Sequence, residues 1–595
     1  MPTTLPRARV LLLFVAVLVY TNSLGNGFAL DDNWIIVENP VVTEGRLAEA
    51  FLAPYWRGAS FGTGNYRPVM LSSFGLEWAA FDGGAFGFHV VSVLAHALAC
   101  LLVLALLTRF VPIAAAFVGA LLFAVHPVHV EAVANVVGRA ELYATLAYLG
   151  ACLLYLDRGG AKGPRSAVRL LGLIALFLLA LGGKEIAITL PGLLFVLELS
   201  RRSEVGLPAR LRAEFPTYLA LAGMLGIYLL VRGTVIGGLT GASPAAGLAS
   251  LSLGERLLTA LTVWPQYLRL MIFPLDLSAD YAPGVFLVTT SLTLEVVVGA
   301  SLLLGSVVGA WLLRDRLPTP ALGLVWFVVT VLPVSNLIVR SDVLLAERTL
   351  YLPSVGLALV LAGLAHELAP LIPVSRQRAL MALVGVALAA MSVRTVTRNP
   401  TWLDTFTMLN TLAIEHPESS FAVRARAQGF KRVGEMEQAR QAFELALEFA
   451  PDNYQLVVEA GVLYSDLGQH ERAEQLFTSA MGLLPRYPAA YVELATQRLL
   501  RGEGRGAHAA ALSGLARAGS DRELWFLVSE SYVAKGDVAA AIHASQAALA
   551  QEPDFEPGWS RLAELLELEG REGEAPTARQ RASHIPTSRD PGAGA

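Results

Sequence analysis

The sequence has few charged residues for its length. Of its 595 residues, 16% are charged and 54% are hydrophobic, and the mean hydropathy is +0.54. This composition is too apolar for a soluble multidomain protein and favours a chain that crosses a membrane several times. The formal net charge is only -4, so we expect no basic surface for nucleic acid.

Cysteine and lysine are both scarce. The two cysteines, Cys100 and Cys152, lie inside apolar runs, which excludes a disulfide framework or a cysteine-based metal site. We expect both to be buried as small hydrophobic residues. Lysine accounts for four of the 45 basic residues. The first apolar run, residues 10–24, has no clear cleavage pattern after it, so we interpret it as a retained helix rather than a signal peptide.

Long apolar runs occupy the first two thirds of the chain. A helix that crosses a bilayer needs about 20 mostly apolar residues, and this rule predicts about eleven spans. They lie near residues 9–25, 86–107, 112–128, 139–156, 168–183, 186–200, 214–231, 286–313, 319–338, 349–369 and 379–396. Two further amphipathic segments, 69–81 and 257–274, are expected to be interfacial helices.

Arginine-rich segments indicate how these spans are oriented. They lie at 157–169, 201–212, 314–316 and 376–378, all on one side if the spans alternate. The positive-inside rule makes that side cytoplasmic. The loops on the opposite side then carry most of the unusual polar residues.

A 34-residue repeat follows the last span. Glycine recurs at positions 434, 468, 502, 536 and 570, and alanine at 439, 473, 507 and 541. This period, with prolines ending the second helix of each unit, is typical of tetratricopeptide repeats (TPRs). We therefore expect an all-α protein: a polytopic membrane bundle over residues 1–398, a TPR α-solenoid over 399–587 and a disordered tail over 588–595. Pro576 is expected to cut the fifth repeat short.

Asp31 and Asp32 are adjacent carboxylates just after the first apolar run. A carboxylate at the centre of a bilayer costs roughly 2.5–3.5 kcal/mol, so we place both at the water interface. They either solvate a loop or take part in chemistry. We favour chemistry because the other polar clusters of the membrane half fall on the same side.

The densest of these clusters contains His126, His129, Glu131 and Arg139. The two histidines could bind a metal, but Pro127 between them disturbs a helix and no third strong ligand is evident. Hydrogen bonding to a phosphate or a sugar is the interpretation we prefer. Arg139 could instead anchor its span at the interface.

Two further pairs join an acid to a base next to a span. Lys184 and Glu185 occupy a short turn on the side where positive charge is disfavoured, which favours binding a ligand or forming an ion pair. Glu347 and Arg348 precede another span, and a guanidinium can bind phosphate oxygens bidentately. A structural pair between Glu347 and Arg348 is the alternative.

Three weaker candidates, Arg67, His89 and Asp280, could line the same cavity, although each alone would more often be a packing residue. Together, these motifs resemble the TMTC family, the transmembrane and tetratricopeptide repeat-containing O-mannosyltransferases. The likeness rests on residues 29–40, 66–68, 88–96, 126–133, 138–141, 184–185, 346–354 and 399–402, and covers nearly the whole chain.

The resemblance implies a membrane glycosyltransferase of the GT-C fold. Its donor would be a polyprenyl- or dolichyl-phosphate sugar, and its acceptor a protein hydroxyl presented by the TPR groove. Asp31 or Asp32 would act as the general base. Arg139, Lys184 and Arg348 would hold the departing phosphate, with His126 or His129 in support. We expect no metal and no cofactor beyond the donor.

The expected location is a bacterial inner membrane with the TPR domain in the periplasm, or else an endoplasmic reticulum membrane. Three alternatives remain open. The chain could glycosylate a lipid or polysaccharide, or it could be a membrane-tethered scaffold that recruits partners through its repeats. It could also be a transporter, although polar residues would then be expected toward both sides of the membrane.

Overall fold

The computed structural model describes residues 4–57, 64–157, 164–201, 205–238, 245, 247–248, 251–286 and 288–584. Within these ranges the regular secondary structure is helical and contains no strand, which confirms the all-α prediction. The chain divides into two compact units, Met1–Ala422 and Val423–Ala595. The predicted tail, 588–595, lies outside the described residues.

The first unit is built from apolar helices joined by short 3-10 turns. Its helices of ten or more residues are Leu5–Leu18, Pro68–Phe81, Ala85–Leu107, Ile113–Val125, Ala140–Leu156, Pro164–Gly183, Leu190–Ser200, Leu207–Ile236, Leu253–Ile272, Leu294–Leu313, Pro318–Val331, Ser354–Leu368, Val374–Arg398 and Thr405–Glu415. Cys100 and Cys152 are both buried in its core, as predicted.

Each predicted span contains a helix, but fewer helices are long enough to cross a bilayer. Among the described residues, five helices meet the length and composition of a span, and a bent helix pair near residues 113–134 would make six. The five are Ala85–Leu107, Leu207–Ile236, Leu294–Leu313, Ser354–Leu371 and Ser375–Trp402. The predicted count of about eleven therefore exceeds the number of full-length helices.

Two breaks explain why several helices are short. His126 is extended because proline follows it, and this ends the helix Ile113–Val125. Lys184 is also extended, with φ -158° and ψ 149°, and it follows the last residue of the helix Pro164–Gly183. Both breaks fall at polar residues, so the chain leaves the helical path where its candidate site residues lie.

The arginine-rich segments lie at the helix ends opposite these breaks. Ala140–Leu156 and Leu190–Ser200 each begin just after a break and end at an arginine-rich segment. The helix Leu207–Ile236 runs back from such a segment. Residues 158–163 and 202–204 of these segments lie outside the described residues. Basic residues and the polar breaks thus occupy opposite helix ends.

Helices form at both segments predicted to be interfacial. The first is Pro68–Phe81, and the second, Leu253–Ile272, begins earlier than predicted. Ser252 and Glu255 form a capping box that starts the second helix, because each side chain bonds the backbone amide of the other. The position of these helices at a membrane surface stays a prediction.

The helix Thr405–Glu415 belongs to the first unit, although the predicted domain boundary precedes it. Met408 and Leu412 are fully buried in the core of the first unit. Its first residue, Thr405, accepts a hydrogen bond from the backbone of Leu30 through its hydroxyl, at 2.8 Å. Apolar contacts that the composition change did not reveal therefore extend the first unit to Ala422.

The second unit has the helix pairs expected of TPRs. Its helices are Ser420–Arg432, Met436–Phe449, Tyr454–Asp466, His470–Leu483, Ala489–Leu500, Gly504–Ala518, Arg522–Val533, Val538–Gln551, Glu556–Leu568 and Ala575–His584. The recurring glycines have φ between 73° and 81° in the turn between paired helices. Space is open around all of them, so the positive φ, not crowding, requires glycine.

One prediction about the repeats is wrong. Pro576 does not cut the fifth repeat short, because the helix Ala575–His584 forms with this proline in its first turn. The first turn tolerates proline, since its amide would have no partner there in any case.

One close helix contact in the first unit joins two glycines. A Cβ on Gly356 would lie 2.5 Å from the carbonyl oxygen of Gly323, on the neighbouring helix. We expect Gly356→Ala to lower the free energy of unfolding by about 1–3 kcal/mol through overpacking. Thermal unfolding in detergent would measure this change.

Gly385→Ala is the matched control, because a Cβ there meets no atom within 4 Å. A helical glycine-to-alanine change without a clash should stabilise by about 0.5–1 kcal/mol. Equal effects of the two substitutions would contradict the close approach.

Candidate functional site

The loop that carries Asp31 and Asp32 has a strained entry. Leu30 has φ 49°, in the left-handed region that costs a residue with a side chain roughly 1–2 kcal/mol. The carboxylate of Asp32 offsets part of this free-energy cost, because it accepts hydrogen bonds from the amides of Ala29, at 3.0 Å, and Val137, at 2.8 Å. Asp32 therefore holds the loop in shape and ties it to the turn at residues 137–139.

The same loop is fixed from two other directions. The amide of Gly27 donates to the carbonyl of Leu403 at 2.7 Å, and Thr405 binds the amide of Leu30. On the other side, Nε2 of His89 bonds the carbonyl oxygen of Gly27 at 3.0 Å. His89 is buried. The contacts place this predicted substrate ligand behind the loop, where it supports the backbone.

Asp31 differs from its neighbour in having no hydrogen bond within the described residues. It is partly exposed, whereas Asp32 is buried. Burial raises the pKa of Asp31 to about 6, with the positive charge of Arg348 opposing the rise. Burial likewise raises the pKa of Asp32 to about 7, against its two amide bonds. Of the two carboxyls, only Asp31 is free to meet a ligand.

Arg348 is held in place by Glu131. The carboxylate of Glu131 accepts the backbone amide of Arg348 at 2.8 Å and forms an ion pair with its guanidinium. Glu131 is buried, while 26% of the Arg348 side chain is exposed. The remaining guanidinium donors bind no acceptor among the described residues. The positive charge of Arg348 lowers the pKa of Asp31, so the two residues lie near each other, but no ion pair joins them within the described residues.

A close backbone approach fixes the position of Glu131. A Cβ on Gly138 would lie 2.2 Å from the carbonyl oxygen of Glu131, so only glycine fits there. Val137, next to this glycine, donates to Asp32. The turn at residues 137–139 therefore connects the carboxylate loop to the residue that positions Arg348.

The break at Lys184 and Glu185 adds three ion pairs. Lys184 is buried against Glu141. The carboxylate of Glu185 contacts Arg67 and Arg232, each at 3.0 Å. Burial raises the pKa of Glu185, but the two arginines outweigh it and bring the pKa down to about 2. The positive charges of Arg67 and Lys184 both stabilise the ionised form of Glu141, so the ion pairs of these two cations lie close together.

Arg139 has a protein partner for each of its nitrogens. Its guanidinium contacts Glu77 at 2.5 Å, Ser92 at 3.0 Å and the carbonyl oxygen of Phe88 at 2.7 Å. The side chain is fully buried. Because every nitrogen has a protein acceptor and the side chain is fully buried, Arg139 is not presented to a phosphate.

The histidines of the predicted cluster are buried among helices. Nε2 of His126 bonds the carbonyl of Met271 at 3.0 Å, and Nε2 of His129 bonds the hydroxyl of Ser354 at 2.9 Å. Within the described ranges, no group of three or more histidine, cysteine or acidic side chains is arranged to hold a metal ion. Here both histidines link the polar break to neighbouring helices.

Glu347, which is buried, and Asp280, which is half-buried, both bind the turn at residues 278–282. The carboxylate of Glu347 accepts the amide of Ser278 at 2.7 Å and the hydroxyl of Tyr281 at 2.9 Å. Burial raises the pKa of Glu347 to about 7, while the positive charge of Arg398 opposes the rise. Asp280 accepts the amide of Ala282 at 2.9 Å. Glu347 does not pair with Arg348, so the predicted alternative of a structural pair between them is not observed.

Three charged residues of this region were not singled out in the sequence. Glu77 is a carboxylate within an otherwise apolar helix, and Arg232 ends an apolar run on the side where arginine is rare. The negative charge of Asp342 raises the pKa of Asp31 and that of Arg348. The first two break the local pattern and could have been noticed, whereas the loop position of Asp342 gave no such signal.

The comparisons with known proteins agree on one group of relatives. No protein-family model matches the chain. It is 28% identical to protein O-mannosyl-transferase F38B6.6 of Caenorhabditis elegans, over 60% of this chain and 51% of that protein. It is 27% identical to protein O-mannosyl-transferase Tmtc3 of Drosophila melanogaster, over 82% and 61%. It is 40% identical to protein O-mannosyl-transferase TMTC1 of Mus musculus, over 32% and 22%.

These relatives confirm the resemblance to TMTC proteins. The chain spans about half to three fifths of the length of the first two. Among solved structures, MamA of Desulfovibrio magneticus RS-1 matches with a TM-score of 0.25 and 18% identity, covering 29% of this chain and 97% of that one. PilW, a type IV pilus biogenesis factor, matches with a TM-score of 0.25 and 20% identity, covering 28% and 77%.

The two aspartates should differ in their effect on stability. Asp32→Ala leaves the buried amides of Ala29 and Val137 without an acceptor, and each orphaned donor costs about 1–3 kcal/mol. We expect a clear fall in the melting temperature. Asp31→Ala, which removes no hydrogen bond, should leave it unchanged. Unfolding in detergent checks both, and equal melting temperatures for the two variants would refute the difference in roles.

Proposed function

We propose that this chain, a relative of the TMTC protein O-mannosyltransferases, is a membrane glycosyltransferase. It moves a sugar, mannose by analogy with the names of its relatives, from a polyprenyl- or dolichyl-phosphate donor to serine or threonine hydroxyls of proteins. One observation carries the proposal. Among the described residues, the Asp31 carboxylate accepts no hydrogen bond and lies near a guanidinium with unused donors, that of Arg348, with no ion pair between the two.

A free carboxylate near a cation with unused donors suits a single displacement at the anomeric carbon. The acceptor oxygen forms a bond to that carbon while the bond to the phosphate oxygen breaks, and the hydroxyl proton passes to Asp31. The leaving phosphate is an anion already, so no general acid is needed, unlike in inverting glycosidases. Arg348 binds the phosphate oxygens as negative charge develops on them.

Asp31 is the general base in this proposal, and Asp32 is a positioning residue. Both oxygens of Asp32 are occupied by backbone amides, whereas Asp31 is partly exposed and accepts no hydrogen bond. A pKa of about 6 keeps Asp31 mostly ionised at neutral pH and close to the value at which a base works well.

Glu131 holds the guanidinium of Arg348 in position, because it binds both the backbone and the side chain of that residue. Arg67 and Lys184 supply further positive charge, each balanced by a carboxylate in the resting state. A donor phosphate could compete for these cations only by displacing a carboxylate from an ion pair that is buried at Lys184 and half-buried at Arg67, which costs free energy. We therefore assign phosphate binding first to Arg348.

We propose that the site faces the periplasm of a bacterium or the lumen of the endoplasmic reticulum. The arginine-rich segments lie at the helix ends opposite the polar breaks, and the positive-inside rule assigns those segments to the cytoplasm. A site at the helix ends lets the lipid tail of the donor stay in the bilayer. The acceptor then arrives from water.

The solenoid is proposed to bind the acceptor polypeptide along the first helices of its repeats. Charged side chains link these helices from one repeat to the next. Arg424 donates to Gln455 at 2.8 Å, and Lys431 pairs with Asp466 at 2.7 Å. Burial raises the pKa of Glu493, and the nearby charge of Glu523 adds to the rise. A polar surface of this kind suits hydrophilic polypeptide segments.

The pH dependence of sugar transfer tests the general base. Because Asp31 must be deprotonated to accept a proton, the rate should rise about tenfold per pH unit below pH 6 and level off above it. Asp31→Asn should lower transfer from polyprenyl-phosphate mannose by roughly 10²–10⁴-fold. The readout is labelled sugar in a protein acceptor.

Asp31→Glu is the control for this test, since it keeps a carboxylate and should retain more activity than Asp31→Asn. Folding is checked by the melting temperature. Full activity of a folded Asp31→Asn variant would overturn the mechanism. If the wild type binds no lipid-phosphate sugar at all, the chain is better explained as a scaffold.

The identity of the acceptor is tested separately at the solenoid. Glu493→Gln should slow transfer to an intact protein acceptor at least severalfold and leave transfer to a tripeptide acceptor unchanged. Glu448→Gln, at an exposed site on a second helix, is the matched control. If Glu493→Gln changes neither rate, acceptor binding at this part of the first helices is wrong, and a lipid or polysaccharide acceptor gains support.

A further inference from the structure

Arg256 is a buried cation without a partner. It lies in the first turn of the helix Leu253–Ile272, with 7% of the residue exposed. Its Nε is shielded from solvent and makes no hydrogen bond, and no ion pair reaches its guanidinium from the described residues. A guanidinium keeps its charge in proteins, so this arrangement leaves an uncompensated positive charge.

The other buried cations of the described residues all have counter-charges. They are Arg139 with Glu77, Lys184 with Glu141, Arg232 with Glu185 and Arg398 with Glu415. A buried charge without a partner costs several kcal/mol, which is why such side chains are normally paired. Arg256 therefore requires an anion that the described residues do not supply.

The surroundings of Arg256 provide further positive potential. The helix N-terminus carries a partial positive charge. Arg340, which is exposed, donates to the carbonyl of Leu251 at 3.5 Å, next to the helix cap. The acid of the first turn, Glu255, is occupied by the capping box, where its carboxylate binds the amide of Ser252 at 2.9 Å. Within the described residues, Glu255 forms no ion pair with either arginine.

The site lies level with the end of a candidate membrane span. The hydroxyl of Thr259, one turn after Arg256, donates to the carbonyl of Thr289 at 2.9 Å and accepts its amide at 3.1 Å. Thr289 shortly precedes the span Leu294–Leu313. The ends of a spanning helix lie where the phosphate groups of bilayer lipids are found.

We propose that Arg256, with Arg340 and the N-terminal turn of this helix, binds a phosphate group. Guanidinium and phosphate match in geometry, because two parallel N–H groups can bind two oxygens of one phosphate. The phosphate belongs either to the head group of an anionic lipid or to a free phosphate ion. The site uses none of the residues assigned to sugar transfer and does not depend on that activity.

Thermal unfolding of the purified full chain in a neutral maltoside detergent tests the proposal. Two probes are titrated separately in phosphate-free buffer: inorganic phosphate and short-chain phosphatidylglycerol. We expect at least one probe to raise the melting temperature of the wild type. Arg256→Gln should weaken the apparent affinity for that probe at least tenfold. Without any probe, Arg256→Gln should be at least as stable as the wild type, because it removes an unpaired charge.

Arg269→Gln is the matched control on the same helix. Its guanidinium is partly exposed and donates to the carbonyl of Asp276 at 2.7 Å, so this substitution should leave the response to both probes unchanged. Stabilisation by inorganic phosphate identifies a free-phosphate site, and stabilisation by phosphatidylglycerol alone identifies a lipid head-group site. The proposal is overturned if neither probe stabilises the wild type, or if Arg256→Gln responds as the wild type does.

Discussion

Charges buried in an apolar helical unit must be paired, and the first unit is arranged around this requirement. Arg139 with Glu77, Lys184 with Glu141 and Arg348 with Glu131 join segments that are far apart in the chain. Removing one member of such a pair leaves its partner buried and unpaired, which costs about 3–5 kcal/mol. The pairs therefore fix how the helices pack as well as where charge is found, and they leave few charged groups free to meet a ligand.

The helix breaks bring these pairs together at one end of the bundle. His126 and Lys184 stop their helices early, so backbone amides and polar side chains are released near the loop of Asp31 and Asp32. Asp32 uses one such amide, that of Val137, to hold the strained loop. The loop of the proposed catalytic carboxylate and the nearby cation are thus held by Asp32 and Glu131, as a preorganised site requires.

The second unit obeys simpler rules. Each repeat contacts its neighbours, and the same glycine and alanine positions recur in the turn and at the helix crossing. Local sequence patterns therefore determine the structure of each repeat. Each glycine is required by its own positive φ, and each alanine by the contact between the two helices of its repeat. Pro576 is the exception that depends on position within a helix, since proline is tolerated in a first turn and excluded from later ones.

The sequence by itself determined the all-α class, the apolar segments, the repeats and the membership of Asp31, Glu131, Lys184 and Arg348 in one polar region, because periodicity and the cost of charge near a membrane are local properties. Tertiary structure alone decided which of these residues are free. That Asp32 is occupied by two amides, that Arg139 is enclosed by Glu77, and that Arg256 has no counter-charge depend on contacts between distant segments. The polar breaks that shorten helices depend on both levels: Pro127 ends its helix locally, while Met271 and Glu141, from other helices, bind the side chains of His126 and Lys184.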